Sequence, residues 1–156
     1  MAGINADYIN PFLIAATKVL KDMVFLNAKI GKPYMKEAVF GDKNLLIMLG
    51  VTGEMSGQVI ISFEKSIALD VASKMCMMQF SALDELAESA IGELCNMILG
   101  NTATVFSTKG IEIDITPPTM CKGTVTFTNN YAANICIPLI YEEDKVIEIN
   151  VAIRDN

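Results

Sequence analysis

The sequence predicts an α+β domain in which a mainly antiparallel sheet packs against long helices. Strand-like runs follow one another without a helix between them, three early in the chain and four near its end. Strict alternation of strands and helices would instead favour a parallel sheet. Each run of strands follows a helical stretch, so the chain consists of two pseudo-repeated halves, each a helix plus antiparallel strands. The repeat is visible in element order and not in residue identity.

Length and composition favour one domain over residues 1–156. The chain has 156 residues, of which 52% are hydrophobic and 19% charged, an apolar composition for this size. Neither a linker nor a low-complexity segment divides it. We expect the surplus apolar surface to be buried between the subunits of a homodimer, since such interfaces resemble a divided core.

The first half is predicted to contain one helix and three strands. Apolar residues at helical spacing indicate a helix over residues 7–28, which Gly31-Lys32-Pro33 ends. Strands are expected at 35–40, 45–51 and 58–63, with a glycine-rich turn at 52–57. The run 45–51 is continuously apolar, which is typical of a strand buried on both faces.

The second half is predicted to contain two helices and four strands. The first helix covers residues 66–78. The second begins at an N-cap, Ser81, with Asp84 as the acidic partner of a capping box, and runs to about residue 105. Strands are expected at 111–116, 124–128, 133–141 and 145–153. Their turns are Pro117-Pro118, Asn129-Asn130 and residues 142–144.

Several classes of function are disfavoured by composition. The net charge is −6 and no basic block occurs, so we expect neither nucleic-acid binding nor attraction to acidic lipids. No apolar run is long enough to span a membrane, and Asp7, Pro11 and Lys18 interrupt any signal-like stretch. We therefore expect a cytoplasmic protein. Its four cysteines form no CxxC pair and are expected to be reduced, buried and apolar in behaviour.

The helix from residue 81 carries the groups best suited to chemistry. Ser89, Glu93, Asn96 and Gly100 follow helical spacing, so small and polar groups share one face. The chain has no histidine, and a carboxamide can aim a water molecule although it cannot act as a base. The alternative is a solvated helix face. The stripe expected to pack on the sheet comprises Leu83, Leu86, Ala90, Leu94, Met97 and Ile98.

The wider spacing resembles the active-site signature of the CheC/CheX/FliY family of chemotaxis phosphatases. That signature is Asp or Ser, three residues, Glu, two residues, Asn, twenty-one residues, Pro, and it is matched by Ser89, Glu93, Asn96 and Pro118. With average residue usage, such a match would arise by chance on the order of once in several hundred chains. The glycine-rich stretch 53–57 and the helix segment 93–100 also resemble the family, and the likeness extends from about residue 7 to the end.

The resemblance implies a reaction, a partner and an oligomeric state. The family hydrolyses the aspartyl phosphate of a phosphorylated CheY-like receiver domain, so Asn96 would orient the attacking water and Glu93 would pair with a receiver lysine. Ser89, Gly100 and Pro118 would support the site. No cofactor of its own is implied, because the receiver would supply Mg²⁺. The first-half helix has no Glu-x-x-Asn, a single-site pattern that is most similar to the CheX type and implies a homodimer joined through sheet edges.

Three other interpretations remain open at this stage. A domain of the same fold could bind receivers or signalling partners without turnover. A second interpretation is a small-molecule binding domain that uses the ten methionines, which would require a closed apolar pocket away from Asn96. The third, a cysteine redox sensor, has the least support because no cysteines are paired in the sequence.

Overall fold

The computed structural model describes residues 6–128 and 133–155 and has the predicted α+β architecture, with helices against a mainly antiparallel sheet. No helix in these residues is long and apolar enough to cross a membrane. In chain order the elements are α1 (Ala6–Val24), β1 (Lys29–Ile30), β2 (Tyr34–Met35), β3 (Val39–Phe40), β4 (Asn44–Gly53), β5 (Met55–Glu64), α2 (Lys65–Cys76), α3 (Glu85–Thr108), β6 (Ile113–Ile115), β7 (Thr119–Cys121), β8 (Val125–Thr126), β9 (Ile135–Tyr141) and β10 (Lys145–Asp155).

The main sheet is built from two long hairpins, one from each half of the chain. Its order is β1-β9-β10-β5-β4-β6, with β2 also on β9 and β7 also on β4. The hairpins β4–β5 and β9–β10 meet at the centre, where Ile61 pairs with Ile149. The short strands cross over: β1 and β2 pair with the second-half hairpin, and β6 and β7 with the first. The two halves therefore interlock in one sheet.

Alternate residues of the long strands face the helices and form the larger core. In β4, Leu45, Ile47 and Leu49 are buried on this side, as the period of two requires. Above them the long helices of the two halves pack together, with the rings of Phe12 and Phe106 edge to face at 5.7 Å. Helix α3, which carries the predicted site, is thereby fixed against both the sheet and α1.

The opposite face of the sheet is covered by the small β3–β8 ribbon. Here Ala38 and Phe40 pack on Leu46 and Ile60. Because β4 is buried on this side as well, its sequence is apolar at every position from 45 to 49, which confirms the prediction of a central strand. The buried Asn150 donates a hydrogen bond to the carbonyl oxygen of Ile60 at 3.2 Å, so its polar side chain is satisfied.

The first helix and the glycine-rich turn differ from prediction. Helix α1 ends at Val24 and not at residue 28, because Phe25 takes a left-handed conformation with φ of 63°. The predicted turn at 52–57 is mostly strand, since β5 begins at Met55. Gly57 is required there by close approach: a Cβ on it would lie 2.0 Å from the carbonyl oxygen of Ala152 in β10.

The remaining differences concern short elements. The predicted strand 35–40 is divided into β2 and β3, which pair with different partners. Helix α2 ends at Cys76, where Met77 adopts a left-handed cap. Strands 111–116 and 124–128 shorten to β6 and β8, β1 and β7 were not predicted, and strands 133–141 and 145–153 match β9 and β10 closely. The predicted turn Asn129-Asn130 lies outside the described residues.

Candidate functional site

Helix α3 begins later than the sequence indicated. Its N-cap is Asp84, whose carboxylate accepts a hydrogen bond from the backbone N–H of Ala87 at 2.9 Å. The prediction of Ser81 as N-cap is therefore wrong. Serine and aspartate are both good caps, so two candidates three residues apart compete, and the aspartate is the one that begins the helix.

The buried stripe of α3 is rotated by about one residue position from the predicted one. Leu94 and Ile98 are buried as expected, but Leu86 is 55% exposed, and Leu83, Ala90 and Met97 are only partly buried. The prediction fails because α3 is apolar around much of its circumference, so periodicity alone does not locate the contact with α1. The buried residues are Ala87, Ile91, Leu94, Cys95, Ile98, Leu99, Thr102 and Phe106.

The opposite face of α3 forms one wall of an open groove. Ser89, Glu93 and Asn96 are all exposed on this face. They line a cavity of about 530 Å³ together with Pro118. Four of the five residues singled out from the sequence therefore converge at one place. Gly100 lies on the same helix face, beyond Asn96, and does not line the groove.

Pro118 reaches the groove because its segment is held to strand β4 on both sides. The backbone N–H of Gly50 donates to the hydroxyl oxygen of Thr116 at 2.7 Å, and the N–H of Thr116 donates to the carbonyl oxygen of Gly50 at 3.0 Å. Pairing with β4 resumes at Thr119, opposite Met48. Between these points the two prolines have no N–H to donate, so the strand is interrupted and Pro118 faces α3.

Five lining residues were not singled out as site residues from the sequence: Ile47, Glu85, Glu88, Gly92 and Met120. Glu85 precedes Ser89 by four residues, so helical spacing could have identified it. Ile47 and Met120 come from paired strands of different halves, and no local pattern could have placed them beside Asn96. Gly92 adds no side chain to the groove, and the space beside it is open, since a Cβ there would meet nothing within 4 Å.

The groove is acidic. Glu85, Glu88 and Glu93 all line it, and the largely buried carboxylate of Glu88 forms an ion pair with the ammonium of Lys122, which follows β7. This pair ties the β7 segment to α3. Chemically, the groove offers a carboxamide, a hydroxyl and carboxylates in the open, which can orient water and pair with a cationic partner. In the described part of the chain, no group of three or more Cys, Asp or Glu side chains is placed to hold a metal ion.

A second polar cluster ties α2 to the β9–β10 hairpin. Asp70 accepts hydrogen bonds from Lys74 at 2.6 Å, from the Tyr141 hydroxyl at 2.7 Å and from Lys145 at 3.3 Å. Burial opposes ionisation of Asp70, but these donors outweigh it and hold the pKa of the carboxyl below its usual range. Every partner belongs to the same network, so we interpret the cluster as a structural link.

The surroundings of the methionines and cysteines do not favour the other interpretations. The concavity beside exposed Met77 and Met78 is open and also lined by charged residues of the Asp70 cluster, so it is not the closed apolar pocket that a small-molecule site would require. All four cysteines are free. Cys95 and Cys136 are buried as predicted, whereas Cys76 and Cys121 are only partly buried. Burial raises the pKa of the Cys95 thiol, which makes it unreactive.

Comparison with known proteins identifies the family. The family model described as chemotaxis phosphatase CheX matches residues 45–139, a range that includes Ser89, Glu93, Asn96 and Pro118. The chain is also 30% identical over 151 residues to the CheY-P phosphatase CheX of Thermotoga maritima, with 96% of this chain and 97% of the relative covered.

Solved structures show the same fold over nearly the whole length. A CheC-like superfamily protein from Shewanella sp. PV-4 superposes with a TM-score of 0.86 at 28% identity, covering 97% of this chain and 99% of that one. A chain of the CheX–CheY–BeF3–Mg²⁺ complex from Borrelia burgdorferi gives a TM-score of 0.82 at 33% identity, covering 97% of this chain and 100% of that chain. Together with the family model, these likenesses show that the chain belongs to the CheX family of chemotaxis phosphatases.

Proposed function

We propose that this protein hydrolyses the aspartyl phosphate of a CheY-type response-regulator receiver domain. The observation that carries the proposal is that Ser89, Glu93, Asn96 and Pro118 line one open groove, in a chain whose relatives include a CheY-P phosphatase. The groove is open along a helix face, which suits a substrate that is itself a protein domain.

The reaction is one that positioning can accelerate. Water attacks the phosphorus, the bond between phosphorus and the aspartyl oxygen breaks, the aspartate leaves as a carboxylate, and the proton of the water passes to phosphate or solvent. Phosphoryl transfer depends on alignment and electrostatics more than on acid–base catalysis. The Asn96 carboxamide accepts from and donates to the attacking water, and so holds it in line. This role explains how a chain without histidine could catalyse the step.

Glu93 lies one helical turn before Asn96 and is exposed in the same groove. We assign it the docking role: its carboxylate pairs with a lysine beside the phosphorylated aspartate and sets the register of the two proteins. Ser89 and Pro118 shape the walls on either side, and Gly100 leaves the helix face open beyond the groove. The Mg²⁺ belongs to the receiver in this proposal, and it neutralises charge on the phosphoryl group.

We also propose a homodimer joined through the β1–β2 edge. In the described residues these strands pair only with β9, and Ile30, Tyr34 and Met35 are 49%, 44% and 53% exposed. A second copy would cover this edge. The groove lies toward the opposite end of the sheet, beside β7, and would stay accessible. Sedimentation velocity of Tyr34→Lys checks this: a variant that remains as dimeric as the wild type contradicts it.

With four free cysteines, we place the protein in the reducing cytoplasm.

The decisive experiment measures phosphate release from the CheY-type receiver of the same genome after its aspartate has been phosphorylated. We expect the wild-type protein to accelerate release and Asn96→Ala to lose about 100-fold in rate while keeping its fold. The matched control is Ile14→Ala, which truncates a 51%-exposed residue of α1 and should leave the rate unchanged. Receiver binding without faster release would contradict the proposal and favour a non-catalytic binding module.

A further inference from the structure

We propose that Leu86, an exposed residue beside the N-terminal end of the groove along α3, is an apolar docking anchor for the phosphorylated receiver. This inference rests on the proposed function and extends it from the reacting atoms to the surface that recognises the partner. Periodicity places Leu86 in the core, whereas the structure leaves it 55% exposed.

The position of Leu86 distinguishes it from an ordinary surface leucine. Single exposed apolar residues are common and need no explanation by themselves. Leu86, however, precedes Ser89 by three residues and Glu93 by seven, so all three lie on one face of α3. Among the described residues, it is also the only large apolar side chain of α3 that is so exposed.

Helix geometry gives the distance to the reacting atoms. With a rise of about 1.5 Å per residue, Leu86 lies about 10 Å along the axis from Glu93 and about 15 Å from Asn96. A receiver whose acyl phosphate meets Asn96 would therefore extend over Leu86 if it lay along the helix. Gly92, between them, would not obstruct it, because its side-chain direction is open space.

Charge identifies the partner surface that fits. Glu85 lies next to Leu86 in the first turn of α3, and Glu85, Glu88 and Glu93 all line the adjoining groove. Lys122 forms an ion pair with Glu88, but the three lining carboxylates outnumber it, so the surface around Leu86 is acidic. The complementary surface is an apolar patch bordered by lysine or arginine, about 15 Å from the phosphorylated aspartate. An apolar contact with a polar rim is the usual anatomy of a protein–protein interface.

The test separates docking from chemistry in steady-state kinetics with the phosphorylated receiver. We expect Leu86→Ala to raise KM about tenfold, equivalent to about 1.4 kcal/mol, with kcat within twofold of wild type. Leu86→Met keeps an apolar side chain and should stay near wild type. Ile14→Ala, which truncates a branched aliphatic residue of similar exposure on α1, should change neither constant.

An unchanged KM in Leu86→Ala overturns the proposal, as does an equal rise in Ile14→Ala. Because KM reports affinity only when chemistry is slower than dissociation, the dissociation constant is also measured by titrating the receiver. That titration keeps the two proposals apart. If wild-type protein releases no phosphate, the proposed function fails, whereas Leu86 is still tested by the dissociation constant.

Discussion

The two long helices share one packing pattern but present different outer faces. Most buried positions of α1 recur in α3 at a constant spacing: Ile9 corresponds to Ile91 and Val24 to Phe106, each 82 residues later in the chain. Six of the nine buried residues of α1 have a buried counterpart in α3 at this spacing, namely Ile9, Phe12, Leu13, Ala16, Leu20 and Val24. The other three, Pro11, Ala15 and Val19, correspond to residues that are not buried. The two helices therefore share most of their packing pattern.

The carboxylate and the carboxamide of the candidate site lie on α3 and have no equivalents on α1. At the same spacing, Glu93 corresponds to Pro11, which is buried, and Asn96 to the exposed Ile14, so α1 has neither a carboxylate nor a carboxamide where α3 has both. Bulk differs too, because Gly92 corresponds to Asn10 and leaves the α3 face open. The six shared buried positions therefore coexist with polar site residues on only one of the two helices.

The largest effect should come from breaking the core that the halves share. Phe12→Ala and Phe106→Ala each remove one ring from the edge-to-face pair, and both rings are fully buried. We expect each to cost about 3–5 kcal/mol of unfolding free energy, measured by urea denaturation. If either variant unfolds outright, Phe→Leu at the same position gives the smaller loss. A cost below about 1 kcal/mol at Phe12 would show that the α1 side is not packed as tightly as α3.

Charge reversal on α3 should weaken receiver binding more than charge reversal on α1. Glu93→Lys replaces the docking carboxylate with a like charge facing the receiver lysine, so we expect a loss of about 2–3 kcal/mol in binding, or roughly 30- to 150-fold in Kd. Asp22→Lys makes the same change of charge at an exposed position of α1 and controls for net charge and long-range steering. Titration with the phosphorylated receiver gives both constants. Equal losses in the two variants would rule out a specific role for Glu93.

A smaller effect is expected from filling the groove. Gly92→Leu should lower kcat/KM about tenfold, or about 1.4 kcal/mol, because its side chain would occupy the space that the receiver enters. The same change should raise the unfolding free energy by about 0.5–1 kcal/mol, since glycine is unfavourable in a helix interior. The control is Asn10→Leu at the corresponding position of α1. Full activity in Gly92→Leu would mean that the groove is not the docking surface.

Much of this site could be predicted from the sequence because its main elements are local. Ser89, Glu93 and Asn96 lie on one helix, and helical spacing alone places them on one face. The rest depends on distant contacts. Pro118 reaches the groove only because Thr116 and Thr119 hold its segment to β4, and Lys122 reaches Glu88 from the same segment. The spacing of twenty-one residues between Asn96 and Pro118 reveals this contact only through resemblance to a family.

The sequence by itself determined the class of fold, the central position of β4 and the helix that carries the polar row, because periodicity and composition are properties of neighbouring residues. Tertiary structure decided which face of α3 points toward the core, and hence that Leu86 is exposed and Ala87 is buried. It also decided that the short strands of each half pair with the hairpin of the other. Both outcomes depend on which distant residues a side chain contacts. The spacing of apolar residues along a helix does not specify those contacts when the helix is apolar on several sides.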